Sequence, residues 1–184
     1  MENKKVLFVI AFKDFRDEEF FEPKEILEKA GFQIEVASTE KGLAIGVNGG
    51  EVKVDFVIDE VRVDDYEAII FVGGSGANRN IENIRFHRLA REAVMKNKII
   101  GAICIAPLIL ARSGILENHK ATVWTSALER GPIQQLKDGG AIYENQPVVI
   151  DENIITANGP QSAKQFGKAI VKELKKREKE KENN

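Results

Sequence analysis

Three observations predict an α/β sandwich in which helices cover both faces of a mostly parallel sheet. Short runs rich in Val, Ile and Phe, at Lys5 to Ala11, Ala68 to Val72 and Ile99 to Ile103, have the composition of strands buried on both faces. Segments whose apolar residues recur at helical spacing stand between several of the strand-like runs. A length of 184 residues, 43% hydrophobic and 30% charged, is room for one cored domain.

Taken in order, Lys5 to Ala11 is the first strand. Glu18 to Lys29 follows as a helix, with Phe21, Ile26, Leu27 and Ala30 on one face and Gly31 as its stop. Phe32 to Ala37 returns to strand composition, so the first 38 residues read as a β-α-β unit of right-handed crossover. The turn Asn48-Gly49-Gly50 and the alternation Val52, Val54, Phe56, Ile58 suggest a β-ribbon. Ala68 to Val72 then ends in Gly73-Gly74-Ser75-Gly76, and Phe86, Leu89, Ala90, Ala93 and Val94 mark an amphipathic helix. Ile99 to Ile103 leads through Cys104 to an apolar segment, Leu108 to Ala111, stopped by Gly114. Strand-like runs at Ala121 to Trp124, Pro147 to Ile150 and Ile154 to Ala157 precede a last helix on Ala163, Phe166, Ala169, Ile170 and Leu174. The whole is a flavodoxin-like three-layer sandwich over residues 1–174, with 175–184 expected as a charged, solvated tail in the form of a fraying helix end.

With 27 basic against 29 acidic residues, nothing supplies the basic surface of a nucleic-acid binder. The apolar runs fall short of the ~18 residues of a membrane span, and no signal peptide is recognisable, so a cytoplasmic protein is expected. The single cysteine, Cys104, excludes an intramolecular disulfide and any multi-cysteine metal site. No acidic spacing points to a metal, and no cofactor is expected.

Cys104 lies directly after a strand and before a helix, with Ala102 and Ala106 two residues to either side. A nucleophile elbow needs small residues there because the turn is so tight. At the start of a helix the thiol is expected to titrate below the free-thiol value of ~8.5. Gly73-Gly74 offers unobstructed N–H groups for an oxyanion, with the Ile105 N–H as the other donor. Among Glu18, Glu19 and Glu22, helix-dipole complementarity explains two, while a third pressed against the thiol would have its pKa raised. His87 and His119 read as solvated surface residues, and Trp124 as a core residue or a pocket wall.

With these residues in view, the chain resembles the ThiJ/PfpI superfamily from Lys5 to about Leu174. The carriers are Glu19-x-x-x-Pro23, Phe71-Val72-Gly73-Gly74, Ala102-Ile103-Cys104-Ile105-Ala106-Pro107 and Thr156-Ala157-Asn158-Gly159-Pro160. The resemblance implies a reactive Cys104, Glu19 as its hydrogen-bonding partner, and Gly73-Gly74 bordering the pocket. It also implies a homodimer, with a hexamer as the alternative, and an activity on small reactive carbonyls or amide-like adducts, of glyoxalase, deglycase or hydrolase kind. Two departures stand out: protease-like members often carry histidine where this chain has Ile105, and deglycase-like members often carry one where Trp124 or Thr125 stands. The alternative reading is a redox sensor or stress-protective protein built on an oxidisable Cys104.

Overall fold

Residues 4–183 are described by a computed structural model. The strands buried on both faces fall where their composition requires, in the middle of a seven-stranded sheet. Its first strand, β1 (Lys5–Val9), divides its side chains between two cores: Val6 and Phe8 face one, Leu7 and Val9 the other. A short β2 (Lys13–Phe15) follows, and α1 (Asp17–Lys29) leads to β3 (Gln33–Ser38). The antiparallel pair β4 (Gly42–Gly46) and β5 (Glu51–Val54) is the expected ribbon, and β4 also pairs with β2 in a separate three-stranded sheet. The simple β-α-β expectation therefore missed β2, whose three residues are too few to show a period.

Then come β6 (Phe56–Val57), β7 (Ala68–Phe71), α2 (Ile84–Met95), β8 (Ile99–Ile103) and α3 (Pro107–Ser113), which ends on Gly114 in the left-handed region at φ 85°. The run expected as a strand over 121–124 shrinks to β9 (Lys120–Ala121). Next is α4 (Gly131–Asp138), which the sequence reading omitted because only Pro132 and Leu136 are buried on it. The chain closes with β10 (Ile142–Tyr143), β11 (Val148–Asp151), β12 (Ile154–Ala157) and α5 (Ala163–Glu182). The charged segment beyond Leu174 forms the last turns of α5, and its Arg177 and Lys181 reach back to Asn97 and Glu67.

The main sheet runs β11-β12-β8-β7-β1-β3-β6, parallel except for β11. Helices α1 and α5 bury Phe20, Leu27, Phe166 and Ile170 on one face, while α2 and α3 bury Phe86, Leu89, Leu108 and Ile109 on the other. Strand order reverses between β1 and β7. A crevice opens there at the carboxyl ends of the strands, where ligands bind in open sheets of this kind.

Candidate active site

Three chain segments converge on that crevice. The first is the elbow after β8. Cys104 has φ 64°, and Ala106 N–H donates to Ile103 O at 3.1 Å, closing the turn. The ladder survives on both sides, since Cys104 N–H donates to Ala157 O at 2.9 Å and Cys104 O accepts from Trp124 N–H at 2.8 Å. A side chain held in the left-handed region costs about 1–3 kcal/mol, and it persists because these bonds over-determine it.

The second segment is the glycine pair after β7. A Cβ on Gly73 would lie 2.5 Å from Glu19 Oε2, 2.6 Å from Cys104 Cβ and 2.7 Å from Ile103 O, so only glycine lets the carboxyl and the thiol approach. Gly74, at φ 106°, passes as close to Arg16, and a Cβ there would fall 2.4 Å from Arg16 N. The third segment is the first turn of α1. It buries Glu19 completely, with Oε2 accepting from Gly73 N–H at 3.0 Å. The buried Oε1 finds no N–H or O–H donor and is left for the Cys104 thiol, with which the carboxyl interacts.

Burial raises the Glu19 carboxyl to about 7, against the opposing pull of the thiol, the Gly73 N–H and the Arg16 charge. Burial also pushes the Cys104 thiol up, as does the neighbouring Glu19, while the N–H groups of Gly74 and Ile105 pull it down. The thiol expected to titrate below a free cysteine is therefore shifted the other way. Helix α3 is only seven residues long, and the helix-start contribution is outweighed by desolvation and a like charge. With both groups shifted up, the arrangement accommodates one negative charge, which the carboxyl carries while the thiol keeps its proton.

Of the other two acids, Glu18 pairs with Arg16 and Asn48, while Glu22 makes no contact with the site. Cys104, Glu19, Gly74, Ile105 and Trp124 all line one cleft of about 820 Å³, with Gly73 packed directly beneath. Trp124 is half-buried on its wall. The histidines lie elsewhere. His87, expected at the solvated surface, is buried with Nε2 2.6 Å from Ile81 O, because it flanks the apolar stripe of α2. His119 is half-buried against Asp151, with Nδ1 3.3 Å from Oδ2.

Sequence reasoning missed Arg16, Val47, Asn78 and Glu129 on the cleft wall, which no local pattern distinguishes from surface residues. It also missed Asp17, whose carboxylate accepts from Asn48 N–H at 2.8 Å and Gly50 N–H at 2.7 Å and so ties the ribbon to α1. The Asn48-Gly49-Gly50 turn was the available signal for a close approach there.

Fold and site together define an open α/β domain with a cysteine elbow set against a buried glutamate. The chain belongs to the DJ-1/PfpI family, whose model matches residues 4–173. It is 45% identical over 177 residues to an uncharacterised protein of Methanocaldococcus jannaschii, covering 96% of this chain and 85% of that one. With the deglycase PfpI of Pyrococcus furiosus it shares 31% identity over 171 residues, 93% of this chain and 99% of the relative. A ThiJ/PfpI domain protein from Brachyspira murdochii superposes with a TM-score of 0.91 at 34% identity, covering 96% and 99% of the two chains. No described helix is long and apolar enough to cross a membrane, and no described cluster of three or more His, Cys, Asp or Glu could hold a metal ion.

Proposed function

We propose that the protein is a cysteine-dependent enzyme acting on small reactive carbonyls or amide-like adducts, with Cys104 as nucleophile and Glu19 as its proton shuttle. The observation that carries this reading is the meeting of an elbow thiol with a buried carboxyl whose proton affinity, at about 7, suits proton transfer near neutrality. As sulfur adds to the carbonyl carbon, the S–H proton passes to the Glu19 carboxylate and the C=O π electrons move onto oxygen. The N–H groups of Gly74 and Ile105, which bond toward the sulfur, are the donors assigned to that oxyanion. Glu19 then returns the proton to oxygen, leaving a neutral hemithioacetal and an ionised carboxylate.

Ile105 and Trp124 provide no side-chain base, so later proton transfers fall to Glu19 as well. A general acid or base is worth ~10²–10⁴ in rate, so slow turnover and weak or undetectable peptidase activity are expected. The cytoplasm and a homodimer, or a hexamer, fit this reading. Leu43, Ile45 and Val47, exposed on one face of the ribbon with Phe21 beside it, form an apolar strip suited to a second copy.

The test follows methylglyoxal and glyoxal conversion together with intact mass after mild peroxide. Cys104→Ser should abolish conversion, and Glu19→Asp, which withdraws the carboxyl by one methylene, should reduce it strongly. Oxidation of Cys104 to a stable sulfinate with no carbonyl turnover would favour the sensor instead. Robust peptide hydrolysis dependent on Cys104 would show that another residue serves as base.

A further inference from the structure

The cleft around Cys104 is lined by a single cationic side chain, Arg16, among the described residues. Its backbone is clamped to the loop that borders the thiol. Arg16 N–H donates to Gly73 O at 3.0 Å, and Gly74 approaches its nitrogen too closely for any side chain. The guanidinium is oriented from one side only: Nε donates to Glu18 Oε2 at 2.8 Å and Nη2 to Glu18 Oε1 at 3.3 Å. Glu18 is itself held by Asn48 Nδ2 at 3.3 Å. Nη1 has no partner among the described residues, so the edge formed by Nη1 and Nη2 remains as a second pair of parallel donors, the geometry that matches a carboxylate. The side chain is 36% exposed, enough to be reached from the cleft. Of the two carboxyls on the wall, Glu19 is buried against the thiol and Glu129 accepts from Gly131 N–H at 2.7 Å.

We infer that Arg16 is the specificity-determining residue of this cleft and selects carbonyl compounds that also carry a carboxylate, small oxo acids in chemical class, over neutral carbonyls. Glu18 offsets the net charge of Arg16 at a distance but leaves the free edge directional, so selection comes from short-range bidentate bonding rather than from a broad field. The carbonyl half of this inference rests on the function proposed above. The carboxylate half does not.

The experiment compares alkylation of Cys104 by two reagents of nearly equal shape, anionic iodoacetate and neutral iodoacetamide, followed by intact mass. The ratio of the two rates cancels whatever a substitution does to the thiol itself. In the folded wild type the ratio should exceed that of the same chain unfolded in urea by about tenfold, the equivalent of about 1.4 kcal/mol. Arg16→Gln should return it to the unfolded value, and Arg16→Lys should fall between, since a point charge replaces the fork. Arg79→Gln removes the same charge from an exposed pair with Asp14 outside the cleft and should leave the ratio unchanged. A folded ratio equal to the unfolded one, an unmoved ratio in Arg16→Gln, or an equal fall in Arg79→Gln would overturn the inference. Selective alkylation without any carbonyl turnover would sink the proposed function and leave the carboxylate site standing.

Discussion

At the carboxyl ends of β1, β7 and β8, Cys104 is held at φ 64° and Glu19 is buried with one oxygen lacking an N–H or O–H donor. At the amino ends of the same strands the charged side chains are partly or largely exposed and paired: Lys5 with Glu35 at 2.7 Å, Lys181 with Glu67 at 3.0 Å, Lys96 with Asp64 at 2.5 Å. Both ends belong to one sheet and draw on the same two cores. The difference shows where the fold places its unfavourable terms, since strain and desolvation are gathered at one end and supported by the packing beneath, while the other end satisfies its charges pair by pair in water. An end of the first kind is sensitive to single atoms, and an end of the second kind is tolerant.

The largest expected break in this contrast is Gly73→Ala. The added carbon would meet the Cys104 Cβ and the Ile103 carbonyl, neither of them a flexible tip, together with the fully buried Glu19 carboxylate, and should destabilise by about 3 kcal/mol in urea unfolding. A loss below about 0.5 kcal/mol would show that the site is loosely packed.

Glu19→Gln should move stability the other way. The folded carboxyl holds its proton up to about 7 against an ordinary value of 4.5, so between those values the folded state binds more protons than the unfolded one. Raising the pH through that window therefore costs the wild type stability, up to the order of 3 kcal/mol. Stability measured at pH 5 and pH 8 should fall in the wild type and stay level in Glu19→Gln, which should be the more stable of the two at pH 8 by about 2 kcal/mol. Parallel profiles would remove Glu19 as the titrating group.

Cys104→Ala sharpens the same measurement with a smaller effect. The thiol's hydrogen bond lowers the Glu19 carboxyl, so its loss should carry the pH window upward, with overall stability at pH 5 changed by about 1 kcal/mol or less. A window that moves down would mean that the thiol does not stabilise the carboxylate. At the tolerant end, Lys181→Met removes an exposed ion pair with Glu67 and should change stability by no more than about 0.5 kcal/mol, a difference that disappears at high salt.

The local sequence by itself determined the doubly buried strands, the helices with a clear apolar stripe, the elbow at Cys104 and the candidacy of Glu19. Each is written in composition, period or spacing within a few neighbouring residues. The resemblance selected Glu19 from its neighbours before any contact was visible. Tertiary structure decided the rest. β2 and α4 are too short or too polar to show a period, and they exist because β4 of the ribbon pairs with the one while α3 and β10 give the other something to pack on. Arg16 and Asp17 look like ordinary residues of a charged helix start until Gly73, Gly74 and Gly50, tens of residues away, arrive beside them. The direction in which the Cys104 thiol is shifted was misjudged for the same reason. A helix start is visible in the chain, but desolvation and the charge of a residue 85 positions earlier exist only once the sheet has brought both groups into one buried crevice, where they outweigh it.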